Sequence, residues 1–297
     1  HWREELLMIS EKTDLVVKSN RLVEASYRLG LIEQRIILAA IVEARESQTG
    51  IREGHVSLEV NRFVKLFNMR DDSAYGQLKD ALNNLYQRSV TITDTHPESG
   101  KERVSSWRWL SSKSYVDGAG IVQLRFTPEI APYITRLEKE FTSYRLERVS
   151  AMTSASAIRL YELLIQYVLI GQREIATDEF KTILGLEGRY EKFSALERYV
   201  ISPSVTQVNE HSDIFVSWSP RKTGRKISHL VFTIRYAKES VVPPAVEEKT
   251  KKQKAKSLSK ALSEAEMASM ASPGETWSDL KSRLKREGRG DLFPAKG

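Results

Sequence analysis

The sequence predicts an α+β fold: two tandem winged-helix domains related by an internal pseudo-repeat, followed by a flexible basic C-terminal tail. Three observations point to it. Between Tyr190 and Tyr236 a helical pattern precedes the apolar strand Asp213-Ile214-Phe215-Val216-Ser217-Trp218. The basic turn Arg221-Lys222-Thr223-Gly224-Arg225-Lys226 and a second strand through Leu230-Val231-Phe232-Thr233-Ile234 follow. Helix, strand, basic tip and strand is the order of a winged helix. Second, the spacing Phe63-x2-Leu66 then Tyr75-x2-Leu78-x3-Leu82 returns as Phe180-x2-Ile183 then Tyr190-x2-Phe193-x2-Leu196. Strand, helix, helix and strands therefore occur twice in one order. Third, composition changes after Tyr236. Val241-Val242-Pro243-Pro244 stops the last strand, and Lys249 to Lys260 is rich in lysine and poor in apolar residues, which leaves nothing to build a core from.

The elements follow in order. Leu22, Val23, Ser26 and Leu29 set a helix from Asn20 to Leu29, which Gly30 interrupts. Ile32, Ile36, Ile37, Ala40 and Ile41 set the next, Leu31 to Arg45. His55 to Val60 alternates as a short strand, and Asn61 is placed to cap a helix over Arg62 to Phe67. Ser73 to Gln87 buries Leu78, Leu82 and Leu85. Ser89 to Thr93, Arg103 to Leu110 and Ile121 to Phe126 read as strands. Pro128 opens a short helix, Glu129 to Leu137, and a long amphipathic helix runs from Ser154 to Ile170. Glu174 to Ala176 is a short strand, Thr177 or Asp178 caps Glu179 to Leu184, and Tyr190 begins the next helix. The boundary falls near Phe141 to Ser150. The first domain is then 15–145, the second 146–237 and the tail 238–297. In the tail Trp277, Leu280 and Leu284 fall at helical spacing, either a partner-binding helix or a frayed turn.

At 297 residues the chain has room for about two domains. Its formal net charge of +7 favours a polyanionic partner, either nucleic acid or an anionic membrane surface. The absence of cysteine excludes disulfides, thiol catalysis and thiolate zinc sites and fits a reducing cytosol. No apolar run approaches the roughly 20 residues that span a bilayer, and no secretory signal is visible. The chain opens on His1-Trp2, which leaves a leader open. A cytoplasmic protein without a membrane partner is expected.

The second recognition helix holds the main candidate site. On a helix from about Glu191, Lys192 and Arg198 lie away from Phe193, Leu196 and Val200, which face the core. Arg198 can offer a fork to guanine, and Lys192 can meet guanine or phosphate. Glu197 and Tyr199 flank Arg198, and Arg189 precedes the helix. Pro203 fits as the first residue of a new turn capped by Ser202. The plain alternative for each cation is a solvated basic face. In the wing, Arg221, Lys222, Arg225 and Lys226 surround Gly224, which permits a tight tip. Like charges repel there, so a phosphate partner explains the cluster; a hairpin kept soluble by its charges is the alternative. Gln77, Lys79 and Arg88 occupy or follow the equivalent first helix, where Asp72 and Asp80 lower the positive field. Trp107, Trp109 and Tyr115 form an aromatic cluster around a strand pair, suited to base stacking or, more simply, to packing.

Enzyme signatures are missing. There is no G-x-x-x-x-G-K-[ST] loop, and no Gly-x-Ser-x-Gly elbow. His1, His55, His96, His211 and His229 never form a His-x-His or His-E-x-x-His pair. No catalytic residue, metal or cofactor is expected.

The chain resembles the iteron-binding plasmid replication initiators of the RepE and Pi type over about Leu15 to Ala237. Ser19-Asn20, Glu24-Ala25-x-Tyr27 and Gln34-Arg35 are similar to the family's opening. So are Phe141-Thr142-x-Tyr144-Arg145-Leu146 and Ala157-Ile158-Arg159-Leu160-Tyr161-Glu162-Leu163. Tyr190 to Asn209 is similar to the second recognition helix without a gap, and Gly224-Arg225-Lys226 to the wing. The resemblance implies tandem winged helices that bind direct repeats in origin DNA, open the adjacent duplex and recruit host replication proteins such as DnaA and DnaB helicase. It implies monomers on iterons, in equilibrium with a homodimer that represses its own gene at an inverted operator repeat. The first domain is then the dimerisation and backbone-contact domain, and the second the main reader. Arg198 stands at a base-reading arginine and Lys192 at another basic position. Glu197 and Tyr199 stand where a relative has arginines, so a different iteron is read. Gln207-Val208-Asn209 replaces the usual Glu-Ile-Asn. The alternatives are a double winged-helix transcriptional regulator without initiator activity and a rolling-circle nickase, which needs a metal-binding histidine pair and a catalytic tyrosine.

Overall fold

The computed structural model describes residues 14–46, 55–69, 71–116, 118–134 and 140–237. The expected tail over 238–297, with Trp277, Leu280 and Leu284, lies outside them. In chain order the first half runs β1 (Leu15–Ser19), α1 (Asn20–Glu24), α2 (Leu31–Glu46), β2 (His55–Glu59), α3 (Val60–Phe67) and α4 (Asp71–Tyr86). It continues through β3 (Ser89–Thr95), β4 (Glu102–Arg108), β5 (Leu110–Val116), β6 (Ile121–Phe126) and β7 (Phe141–Arg145). The second half runs α5 (Glu147–Ser150), α6 (Ala155–Ile165), β8 (Gln172–Ala176), α7 (Thr177–Ile183), α8 (Phe193–Leu196), a π-helical turn (Glu197–Ile201), α9 (Ser202–His211), β9 (Ile214–Thr223) and β10 (Lys226–Tyr236).

Two winged helices are present, and their sheets are wired alike. The first is ordered β2-β6-β5 and the second β8-β10-β9, antiparallel throughout. In each, the strand before the two helices pairs with the second strand of the terminal hairpin. The pseudo-repeat is thus a repeat of topology as well as of spacing. The first half adds a separate two-stranded hairpin, β3-β4, between its recognition helix and its wing. Its wing tip is Gly118-Ala119-Gly120 with no cation, unlike the tip of the second.

The core is continuous between the halves. Every residue from Ile36 to Val42 of α2 is buried, as is every residue from Ala157 to Leu164 of α6. A helix covered on all sides sits inside a core rather than on it. Around α6 the buried set is not apolar only. Arg159 and Glu162 are buried in it, and Lys18 of β1 is buried beside them. Lys18 Nζ donates to Glu162 Oε1 at 2.6 Å, and Tyr144 Oη donates to the same oxygen at 2.6 Å. Arg159 donates to the Tyr27 hydroxyl, to the Ala25 carbonyl at 2.8 Å and to the Ile183 carbonyl at 3.3 Å. Arg173 of β8 spans the halves as well, donating to Glu24 at 2.6 Å. Gly185 closes the seam. It takes φ 62°, and a Cβ there would stand 2.6 Å from Cβ of Arg28.

Several sequence expectations are corrected. The first helix ends at Glu24 rather than Leu29, because Ser26 pairs backbone-to-backbone with Thr91 of β3, both bonds 2.8 Å. β1 was not expected; its partner β7 lies more than a hundred residues away, so no local pattern announces it. Asn61 is inside the first turn of α3, not its cap, and Glu59 holds the cap position. Neither Thr177 nor Asp178 caps α7; Ala176 does, and the Thr177 hydroxyl donates to the Ile227 carbonyl at 3.4 Å. The expected strand Arg103 to Leu110 divides at Trp109, whose buried side chain takes the chain out of the ladder. β5 escaped notice because Ser111, Ser112 and Ser114 make it polar. Trp107, Trp109 and Tyr115 do not form one cluster: Trp109 meets Tyr27 edge-on at 5.0 Å, while Trp107 faces Tyr133 at 6.4 Å. After Pro128 the described residues hold only a 3-10 turn, Ala131–Tyr133, and 135–137 of the expected helix lie outside them. The long helix stops at Ile165; turns over 166–170 and Gly171 at φ 84° lead into β8.

Candidate nucleic-acid interface

The second recognition element starts later than its sequence pattern predicts. Tyr190 takes φ 51°, a left-handed conformation that costs a side chain about 1–2 kcal/mol and that no helix continues through. The helix therefore begins at Phe193. Lys192 is its N-cap residue, extended at φ −83°, ψ 127°, so it sits at the helix entrance and not on a helical face. Ser202 is not a cap and Pro203 does not open a new turn. The chain instead runs on through the wide turn Glu197–Ile201 into α9, with Pro203 in the first turn of α9. Proline lacks an N–H and crowds the carbonyl four residues before it. A π turn at that place relieves the crowding without ending the helix.

Leu196, Val200, Ile201, Ser204 and Val208 are buried under this element. Arg198 and Tyr199 face outward, Tyr199 with 62% of its surface exposed and the Arg198 guanidinium 5.5 Å from its ring. Glu197 is half-buried beside them, and Lys192 is exposed. Arg189 lies exposed in the preceding turn, 5.5 Å from the Tyr190 ring. Three exposed hydroxyl residues, Ser194, Ser202 and Thr206, share the outer side. Uncharged and without a distinctive spacing, they are singled out only by their exposure.

Three side chains fix the element. Phe193 packs on Trp218 of β9 with ring centroids 6.2 Å apart. Asn209 pairs with the backbone of Val216 on both sides, accepting at 2.7 Å and donating at 2.9 Å. Gln207 accepts from the Thr153 amide at 2.8 Å, which ties the same helix to the start of α6. Asn209 and Gln207 are thus anchors of the reading helix.

The wing closes on a two-residue loop. Thr223 pairs with Lys226, leaving Gly224 and Arg225 at the tip, and Gly224 takes φ 62°. Positive φ at the first central position alone is the type II′ pattern, whose twist matches the strands it joins. Its four cations are not equivalent. Arg221 is paired with Glu174 of β8, and Lys226 with Asp178 of α7 at 3.3 Å. Lys222 and Arg225 are exposed and, among the described residues, in no ion pair. Exposed pairs of this kind contribute about 0–1 kcal/mol, so a phosphate can compete for Arg221 and Lys226 at small cost.

The first-half candidates are placed differently. Gln77 is exposed on α4. Lys79 is half-buried with its ammonium 5.0 Å from the Tyr115 ring. Arg88 forks onto Glu33, at 3.0 and 3.2 Å, while Glu33 also accepts from the Gly30 amide at 2.8 Å. Arg88 therefore ties the end of α4 to the start of α2. Asp80 is exposed, and the side chain of Asp72 is outside the described set. Among the described residues no helix is long and apolar enough to cross a membrane.

Comparison with known proteins adds to this geometry. Residues 15–165 match the family model described as "Initiator Replication protein, WH1", and residues 176–234 that described as "Initiator Rep protein, WH2". A "Replication initiation protein" of Escherichia coli is 28% identical over 227 residues, covering 74% of this chain and 69% of that protein. The "PI protein" of Escherichia coli is 23% identical over 266 residues, covering 77% and 85%. The crystal structure of Pi initiator protein in complex with iteron DNA superposes with a TM-score of 0.62 at 22% identity. It covers 77% of this chain and all of that one. The shared fold is the double winged helix described above.

Proposed function

We infer the finer function of this chain from a plain premise: it belongs to the family of initiator replication proteins. It is a plasmid replication initiator, and in our reading it acts by binding repeated origin sequences, iterons, as a monomer. One observation carries the DNA reading. An exposed Arg198 stands on an outward helix, and the tip of the wing that follows that helix presents Lys222 and Arg225 unpaired among the described residues. A helix fits the major groove and a cationic hairpin meets the flanking backbone.

The roles divide accordingly. Arg198 reads a guanine edge, with Glu197 and Tyr199 setting the neighbouring preference. Lys192 and Arg189, at the entrance of the helix, meet phosphate, as do Arg221, Lys222, Arg225 and Lys226. Helix α4 lies in a second groove, where Gln77 and Lys79 make the weaker contacts and Arg88 acts by holding the end of the helix in place. The bound monomers open the adjacent duplex and bring in host replication proteins such as DnaA and DnaB helicase. A homodimer formed through the first half represses the protein's own gene at an inverted repeat. No enzymatic step and no cofactor belong to this reading, and the protein works in the cytoplasm on plasmid DNA.

Footprinting on the plasmid that encodes the protein tests it. Several protected direct repeats plus one inverted repeat are expected. Protection of a promoter alone, with the origin still firing after deletion of the gene, would replace initiator by regulator.

A further inference from the structure

A cavity of about 280 Å³ opens where the two halves meet, between the starts of α2 and α6 and the turn that precedes α8. Its volume lies just below the roughly 300–1,000 Å³ of small-molecule pockets. Its wall carries Arg28, Arg159 and Arg189 and, among the described residues, no aspartate or glutamate. Three arginines therefore line the cavity with no carboxylate in its wall; the Arg159 guanidinium is bonded to Tyr27, Ala25 and Ile183, while Arg28 and Arg189 are exposed. Arg159 is partly balanced from behind, by Glu162 at 3.5 Å.

The N-terminus of α6 adds to the positive field, whereas that of α2 already carries the Glu33 carboxylate on the Gly30 amide. α2 has 16 residues and α6 has 11, and Ser154, the α6 cap residue, makes no side-chain cap bond. The first-turn amides of such helices favour anions. The carboxylate nearest the start of α2, Glu33, is outside the wall and held by Arg88 and the Gly30 amide.

A separate observation comes from Gln34. It lies in the same wall at 0% exposure, and neither its amide nitrogen nor its amide oxygen has a hydrogen-bond partner among the described residues. Arg159 Nε in the wall is likewise unpartnered. A buried polar group without a partner is costly to fold around. An amide offers one donor and one acceptor side by side, which is the pattern of a nucleobase edge. Tyr190 is also in the wall, with the Arg189 guanidinium 5.5 Å from its ring.

We propose that this cavity binds a nucleotide: its phosphates at Arg28, Arg189 and the start of α6, its base against the Gln34 amide. The cavity shares Arg189 and Tyr199 with the proposed DNA face, whereas Arg28 and Gln34 have no role there, and the test needs no DNA.

Calorimetric titration of the full chain with ATP and with GTP, against adenosine, guanosine and inorganic phosphate, decides the matter. One nucleotide is expected to bind one-to-one, about tenfold or more tighter than its nucleoside and than phosphate. Arg28→Ala and Gln34→Leu should each weaken it about tenfold or more. Arg28 is exposed, so its variant keeps the test open if Gln34→Leu fails to fold. No saturable binding, phosphate binding as tight as nucleotide, or a folded Arg28→Ala variant that binds like the parent each overturns the proposal.

Discussion

Lys18 and Glu162 form an ion pair at 2.6 Å with both side chains fully buried, joining the first strand of the chain to helix α6. The carboxylate also accepts from Tyr144 and stands 3.5 Å from Arg159. Breaking a buried pair leaves a charge without its partner, a loss of about 3–5 kcal/mol. Glu162→Gln strands two cations, whereas Lys18→Met leaves the carboxylate with Arg159 and Tyr144. Urea denaturation should therefore rank Glu162→Gln as the more damaging change. Equal losses, or the reverse order, would show that Arg159 contributes nothing to the pair.

The same carboxylate sets an acid limit. Burial pushes the Glu162 carboxyl up, but the charges of Lys18 and Arg159 and the bonds from Lys18 and Tyr144 outweigh it and hold it below its ordinary value of 4.5. A folded value below the unfolded one gives stability that is present above the ordinary range and is lost as pH falls through the folded value. Stability should drop as pH falls below about 4.5, and Glu162→Gln should flatten that part of the profile. Denaturation midpoints measured from pH 7 to pH 3 read this directly.

Arg198→Ala should weaken iteron binding by about 1–3 kcal/mol and relax selectivity at one base position. A panel of singly substituted sites, titrated by fluorescence anisotropy, shows both effects. Uniform weakening on every site would reassign Arg198 to the backbone. Changing Glu197 or Tyr199 should shift which base is preferred and leave the salt dependence alone.

Lys222→Ala and Arg225→Ala should each lower affinity on all sequences and reduce the slope of log K against log salt by about one. Glu174→Gln should strengthen binding slightly, since it frees Arg221 from an ion pair. An unchanged slope in both wing variants would remove the tip from the phosphate contacts.

Gly185→Ala should destabilise by about 2 kcal/mol or more. The left-handed backbone alone costs a side chain about 1–2 kcal/mol, and the new methyl would meet Arg28 Cβ at 2.6 Å and the Tyr27 carbonyl carbon at 3.0 Å. A melting curve unchanged from the parent would mean that the two halves slide past each other freely at this point.

Much of the fold was legible because it is written locally. Periodic apolar residues mark α2 and α4, and a glycine among cations marks the wing. The seam was not legible. Arg159, Glu162 and Lys18 look like solvent-facing charges in their own segments, and their partners lie 132, 18 and 144 residues away. Lys192 was assigned to a helical face because spacing cannot reveal that Tyr190 turns left-handed. Pro203 announced a disturbance, and the chain resolved it by widening a turn instead of breaking the helix. Arg88 carried the right charge for a reader, but Glu33 beside it was hidden by 55 residues of sequence.

The matching order of the two sheets suggests building chimeras, with the second half of a relative grafted onto this first half to change the sequence that is read. The seam sets the terms of such exchanges. A donor must bring an arginine for Glu24, a counterpart of Arg159 for the Tyr27 hydroxyl, a carboxylate for Lys18, and a residue without a side chain at position 185. Compatibility between donors and recipients is then decided by a handful of inward residues that never meet the target, while the outward residues are free to vary.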